Sequence, residues 1–213
     1  MAVLYSLNLT LMSLFIPTFL FVSATPGMCM TLSLTLGMTI GVRRALWMML
    51  GELAGVALVS VAAVVGVASI MLNYPQVYFG LKYGGGAYLA YLGFQLWSSR
   101  GKMAIQENPV SDGIELRRRA LILQGFVTAI ANPKGWAFMI SLLPPFIDAQ
   151  LPLAPQLTLL VLLILVIEFS CLLLYAGGGR TLRRFLLQAG NVRMMNRIAG
   201  TLMVGVGVWL VLG

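Results

Sequence analysis

The sequence has no histidine, which removes histidine-ligated metal centres from consideration. Cysteine is nearly absent. The two present, Cys29 and Cys171, lie in apolar segments without a CxxC motif, so they read as small packing residues and not as a redox pair. Charge is scarce as well. Charged residues make up 9% of the chain, against about 25% in an ordinary soluble domain, and this cannot cover a soluble surface. The short alternating segments of a membrane β-barrel are missing. The opening stretch MAVLYSLNLTLMSLF carries no Lys or Arg, whereas a cleaved secretory signal needs a positive start; the first helix is expected to stay in the mature protein. No motif points to a cofactor or a metal site.

What is present is hydrocarbon. Hydrophobic residues make up 60% of the 213, in runs long enough to cross a bilayer as helices. The apolar segments fall at about 8–41, 45–72, 77–97, 120–147, 156–178 and 198–213. The expected fold is all-α: a polytopic membrane protein of six transmembrane helices. The first segment reads either as one broken span or as a span plus a re-entrant piece.

The net charge of +8 does not indicate nucleic acid, because the basic residues collect in short connections between apolar runs. Basic and non-basic connections alternate. Arg43 and Arg44 occupy the first, the 98–119 stretch holds five basic residues, and the 179–197 stretch holds five more. The connections around Asn73–Gln76 and Pro144–Pro155 hold none. By the positive-inside rule the basic ones are cytoplasmic, and both termini lie outside.

Residues 1–213 then form a single membrane domain. Residues 1–97 make a first three-helix repeat, 98–119 a cytoplasmic linker and 120–213 a second three-helix repeat. An odd number of spans per repeat inverts one against the other, a transporter plan whose sites lie near the midplane at broken helices.

Two stretches fit that plan. SATPGMCM (Ser23–Met30) and IANPKGWA (Ile130–Ala137) each set a proline among polar or small residues inside an apolar run. Proline removes a helical hydrogen bond and displaces the carbonyl four residues earlier. In lipid the freed groups must find another partner. Pro133 lies roughly 20 Å of helix beyond Ala120, and Pro26 lies equally deep if the first span starts near Ser13. Gly27 and Gly135 are expected to loosen the chain further, and Asn132 can both donate and accept.

Three ionisable residues fall inside spans. Glu52 and Glu168 sit in the second helix of each repeat, and Lys134 follows Pro133. A charge at the bilayer centre costs at least about 2.5–3.5 kcal/mol, so such residues face cavities and pair. A structural ion pair, a glutamate kept neutral, or a snorkelling lysine are the bland alternatives. The functional reading is a zwitterion site. Lys134 and the half-helix N-termini after Pro26 and Pro133 take a carboxylate, and Glu52, Glu168 or both take an ammonium. One glutamate can instead carry a coupling proton. The GxxxG patterns at Gly37–Gly41, Gly51–Gly55 and Gly80–Gly84 read as packing and permit a homodimer.

These residues resemble the LysE/RhtB family of bacterial amino-acid exporters over nearly the whole length. The resemblance rests on TPG (Thr25–Gly27), GVRRAL (Gly41–Leu46), GELAG (Gly51–Gly55), LKYGGGAYLAYLGFQLW (Leu81–Trp97) and LQGFVTAIANPKGWAFMISLLPPFI (Leu123–Ile147), with IEFSCLLLY (Ile167–Tyr175) similar to the neutral amino-acid exporters. Two positions depart from the family pattern: Met28 stands where a second proline is usual, and Glu52 where an aspartate is common. The resemblance implies an inverted repeat in the bacterial inner membrane and proton-motive-force-driven efflux of small amino acids or their derivatives. A membrane enzyme would need catalytic residues in polar loops, which this sequence does not offer. A channel or scaffold subunit is the alternative, but it has no use for matched carboxylates.

Overall fold

The structure, a computed structural model, describes residues 9–73, 75–99, 117–143, 146–147 and 152–212. They form eight helices: α1 (Leu9–Ala24), α2 (Met28–Thr39), α3 (Val42–Asn73), α4 (Pro75–Ser98), α5 (Arg118–Ile130), α6 (Pro133–Leu142), α7 (Leu153–Leu187) and α8 (Ala189–Leu212). No strand occurs among the described residues. An apolar chain with few polar side chains satisfies its backbone most completely within helices. Most of the 98–119 linker lies outside the described residues.

Two of these helices are each long and apolar enough to cross a membrane, Val42–Gly66 and Leu153–Gly179. The pair α1–α2, bent by 56°, makes a third if it counts as one broken span. Helices α5 and α6 are only 13 and 10 residues long. Lys82, Gln95 and several glycines dilute the apolar character of α4. The stretch expected as a basic loop at 179–197 is instead mostly helical. A left-handed turn at Gly179 (φ 47°) kinks α7, and α8 already begins at Ala189.

Glycines set the helix pairings. A Cβ on Gly51 would overlap the Ile122 carbonyl, and one on Gly55 would press on Ala129, so α3 and α5 run parallel in close contact. Gly37 approaches the Ala176 backbone, and Ser33 donates to the Leu172 carbonyl at 2.8 Å, so α2 and α7 also run parallel. Between α4 and α8 the pairs are Gly86 with Gly207 and Gly93 with Gly200, which makes these two helices antiparallel. Small residues let helix backbones approach this closely. Among the described residues, Gly80 and Gly84 meet nothing within 4 Å.

Two apolar clusters fill the interior. One joins Phe15, Phe19 and Val22 of α1 to Val59, Phe138, Met139, Ile164 and Met203. The other joins Met30 and Leu34 of α2 to Ala45, Met48, Leu121, Leu172, Leu186 and Val192. The second cluster therefore draws the starts of α3 and α5 together with the end of α7 and the start of α8. Arg118 stacks on Trp47, and Arg197 on Trp97 at the end of α4, each 5.1 Å from the ring centroid. The described arginines at the starts of α3 and α5 and around the junction of α7 and α8 thus share one end of the molecule.

Candidate functional site

Each half has one break in its first pair of helices. Thr25, Pro26 and Gly27 separate α1 from α2, and Ala131 and Asn132 separate α5 from α6. The two breaks satisfy their backbone differently. At the second break, Asn132 caps α6: its Oδ1 accepts from the Lys134 N–H at 3.1 Å, and its carbonyl accepts from Gly135 at 3.1 Å and Trp136 at 3.3 Å. The Ala129 carbonyl, four residues before Pro133, accepts from the Asn132 N–H at 3.3 Å, and the Trp136 indole donates to the Ile130 carbonyl at 2.8 Å. The backbone of this break is satisfied locally, while the Asn132 amide Nδ2 donates to Cys29 Sγ of α2 at 3.6 Å.

The first break borrows its donors. Pro26 has no N–H for the carbonyl four residues earlier, that of Val22. The Lys134 ammonium of α6 donates to that carbonyl at 3.1 Å, beside a bent bond from the Thr25 N–H at 3.2 Å. The Ser23 hydroxyl donates to Glu168 Oε2 at 2.6 Å, and the Tyr175 hydroxyl donates to the Ala24 carbonyl at 2.7 Å. Three consecutive residues at the end of α1 are therefore tied to α6 and α7. At the start of α2, Gly27 is the N-cap and no side chain caps the helix, so its first N–H groups stay open to an anion.

A partly open cavity of about 70 Å³ lies between the breaks, lined by Ser23, Gly27, Cys29, Asn132, Lys134 and Glu168 with apolar walls that include Phe19, Val56, Phe138 and Met139. It is well above the roughly 10–15 Å³ needed to admit one water. Of the sequence-derived candidates, Gly27, Asn132, Lys134 and Glu168 line this space. Pro26 and Pro133 are not among the lining residues; one lies in the first break and the other at the first position of α6. Glu52 is fully buried beside Cys29 and Glu168, outside the lining, and neither of its carboxyl oxygens has a hydrogen-bond partner.

Two expectations change. The Gly27 backbone is extended (φ −134°, ψ −172°), a conformation open to any residue, and a Cβ there meets only ordinary contact. Gly135 lies within regular α6 and does not loosen it. Ser23 and Tyr175 were not singled out from sequence. Tyr175 falls seven residues after Glu168, on the same face of α7, and that spacing was the available signal. Among the described residues no group of three or more His, Cys, Asp or Glu side chains is placed to hold a metal ion.

A family model described as LysE type translocator matches residues 20–213. The chain belongs to the LysE type translocator family. This LysE-family chain is therefore a membrane transporter and not an enzyme. It is 32% identical to an uncharacterized membrane protein of Pseudomonas aeruginosa over 91% of this chain and 86% of that one. It is 26% identical to an uncharacterized membrane protein of Vibrio cholerae over 88% and 90% of the two chains. It is 24% identical to the homoserine/homoserine lactone efflux protein of Salmonella typhimurium over 88% and 89%. No solved structure matches the LysE-family chain.

Proposed function

We propose that this translocator is a secondary exporter of small amino acids or their derivatives across the bacterial inner membrane, driven by the proton-motive force. One observation carries the reading: a lysine and a glutamate from the second half, Lys134 and Glu168, meet the broken end of α1 at a cavity between two helix breaks. Ionisable residues at interrupted helices are the usual makings of a midplane transport site. The pairings support two inverted units, 1–97 and 120–213, joined by the 98–119 linker. Second helices run parallel to the first helices of the other unit, and third helices run antiparallel. With the shared basic end placed in the cytoplasm, six spans follow.

In this site Glu168, Ser23 and the freed carbonyls of α1 receive an ammonium. The uncapped start of α2 at Gly27 receives a carboxylate where the cargo has one. Glu52, buried without a donor, is the candidate carrier of the coupling proton. The named efflux relative supports this division, because homoserine and its lactone share an ammonium while the lactone has no carboxylate. Gly80 and Gly84, open on α4, offer a face for a homodimer.

The test is an efflux assay in cells loaded with mixed dipeptides, with and without a protonophore. Faster appearance of a subset of amino acids outside, abolished by the protonophore, is expected. Identical efflux from cells with and without the protein refutes the reading.

A further inference from the structure

The Lys134 side chain crosses from α6 to α1 and ends on the Val22 carbonyl, the group that Pro26 leaves without its helical donor. Glu168 lines the same cavity as Lys134, and the Ser23 hydroxyl donates to its Oε2 at 2.6 Å. A freed carbonyl, a carboxylate and an aligning hydroxyl make a seat for a group with one positive charge and three N–H donors. Lysine's ammonium has that form, and so does the primary ammonium of a small amino acid. The cavity, of about 70 Å³, shares these lining residues, Lys134 among them.

We propose that the Lys134 ammonium is a built-in occupant of a primary-ammonium subsite formed by the Val22 carbonyl, Ser23 and Glu168, and that the transported amine displaces it. The proposal deepens the exporter reading and rests on it. It reverses the role expected from sequence, in which Lys134 binds the cargo's carboxylate. Displacement has a mechanical result. When Lys134 leaves Val22, the tie between α6 and α1 is released and space opens, while Tyr175 still holds Ala24 and keeps the break in register. Occupancy by an amine thus loosens one half from the other at a single point. A cargo without an ammonium cannot trigger this, whatever its side chain.

An internal competitor weakens the apparent affinity of whatever it competes with, so removing it tightens binding. Purified protein in nanodiscs is titrated calorimetrically with three probes. Leucinamide has an ammonium and no carboxylate, N-acetyl-leucine has a carboxylate and no ammonium, and leucine has both. The apolar walls suit the leucine side chain. Lys134→Met and Lys134→Gln are expected to bind leucinamide about tenfold more tightly than wild type, equivalent to about 1.4 kcal/mol. Lys134→Arg keeps a cation in place and stays within about twofold of wild type. N-acetyl-leucine gains nothing in any variant. Gel filtration and melting curves report whether each variant is folded; if Lys134→Met is not, Lys134→Gln decides. Leucinamide bound no more tightly by a folded neutral variant overturns the proposal and leaves the exporter reading standing. N-acetyl-leucine binding lost on neutralising Lys134 overturns it too, in favour of a carboxylate ligand. If no probe binds wild type or any variant, this inference falls, and the efflux assay alone decides the exporter reading.

Discussion

Glycine at position 93 is where the fold is most sharply tested. A Cβ added there would lie 2.6 Å from the Gly200 carbonyl oxygen and 3.0 Å from the Val204 backbone nitrogen, where ordinary contact begins at 3.4 Å. The Val204 Cγ2, at 2.8 Å, is a side-chain atom, but the nearest obstacle is a backbone carbonyl that no rotamer change can move. For Gly93→Ala, α4 and α8 must part by about 0.8 Å along that line, the difference between 3.4 and 2.6 Å. Overpacking of this kind costs about 1–3 kcal/mol. Replacing a helical glycine by alanine returns about 1 kcal/mol of propensity. The net expectation for Gly93→Ala is a loss of about 0–2 kcal/mol. Gly80→Ala is the matched control, on the same helix and with nothing within 4 Å. It receives the propensity gain alone, a stabilisation of up to about 1 kcal/mol. Unfolding of the two variants and wild type in mixed detergent micelles, followed by circular dichroism, measures the difference. Equal stability of Gly93→Ala and Gly80→Ala, or a more stable Gly93→Ala, refutes the close antiparallel contact of α4 and α8.

Further expectations concern the site and the topology. Glu168→Gln and Glu52→Gln should each abolish efflux while the protein remains in the membrane at normal abundance, as read by blotting and transport in the same cells; normal export by both variants removes these carboxylates from the mechanism. Tyr175→Phe leaves the half-buried Ala24 carbonyl without this donor and should cost about 0.5–1.5 kcal/mol in the same unfolding assay; an unchanged transition shows that this hydrogen bond is not formed. Reporter fusions at Asp112 and Asp148 should report opposite sides of the membrane, and finding them on one side contradicts the span count.

The sequence made the positions of the breaks legible, because Pro26 and Pro133 each interrupt an apolar run and proline has one dominant effect on a helix. Lys134, Glu52 and Glu168 were equally legible, since an ionisable residue in a lipid-spanning run needs a reason to be there. Their partners were not. Nothing in the local pattern says that the Val22 carbonyl finds its donor 112 residues later in α6. Ser23 and Tyr175 carry polar atoms whose role depends on which helix faces them. The glycine patterns were half readable. GxxxG at Gly51–Gly55 packs as spacing suggests, but Gly80–Gly84 matches the same pattern and meets nothing. The pairs that join α4 to α8 lie seven residues apart in each helix, a spacing that becomes informative only once the helices are paired. The basic 179–197 stretch read as a loop because it is polar, yet its leucines, arginines and methionines are good helix formers and the helices simply continue.

The borrowed donors at the first break have a consequence for how the chain is made. Val22 and Ala24 wait for partners 112 and 151 residues further along the chain. At about 5–20 residues per second, the ribosome needs roughly 8–30 s to deliver Tyr175 after Ala24. During that interval the Ala24 carbonyl lacks its donor and the Val22 carbonyl has only the bent bond from Thr25, a shortfall that lipid cannot make good. Water in the insertion machinery, or a chaperoning protein beside it, has to shelter them. The amino-terminal half is therefore an unfinished product until the carboxyl-terminal half arrives, and truncation after α4 should yield a fragment cleared by membrane proteases.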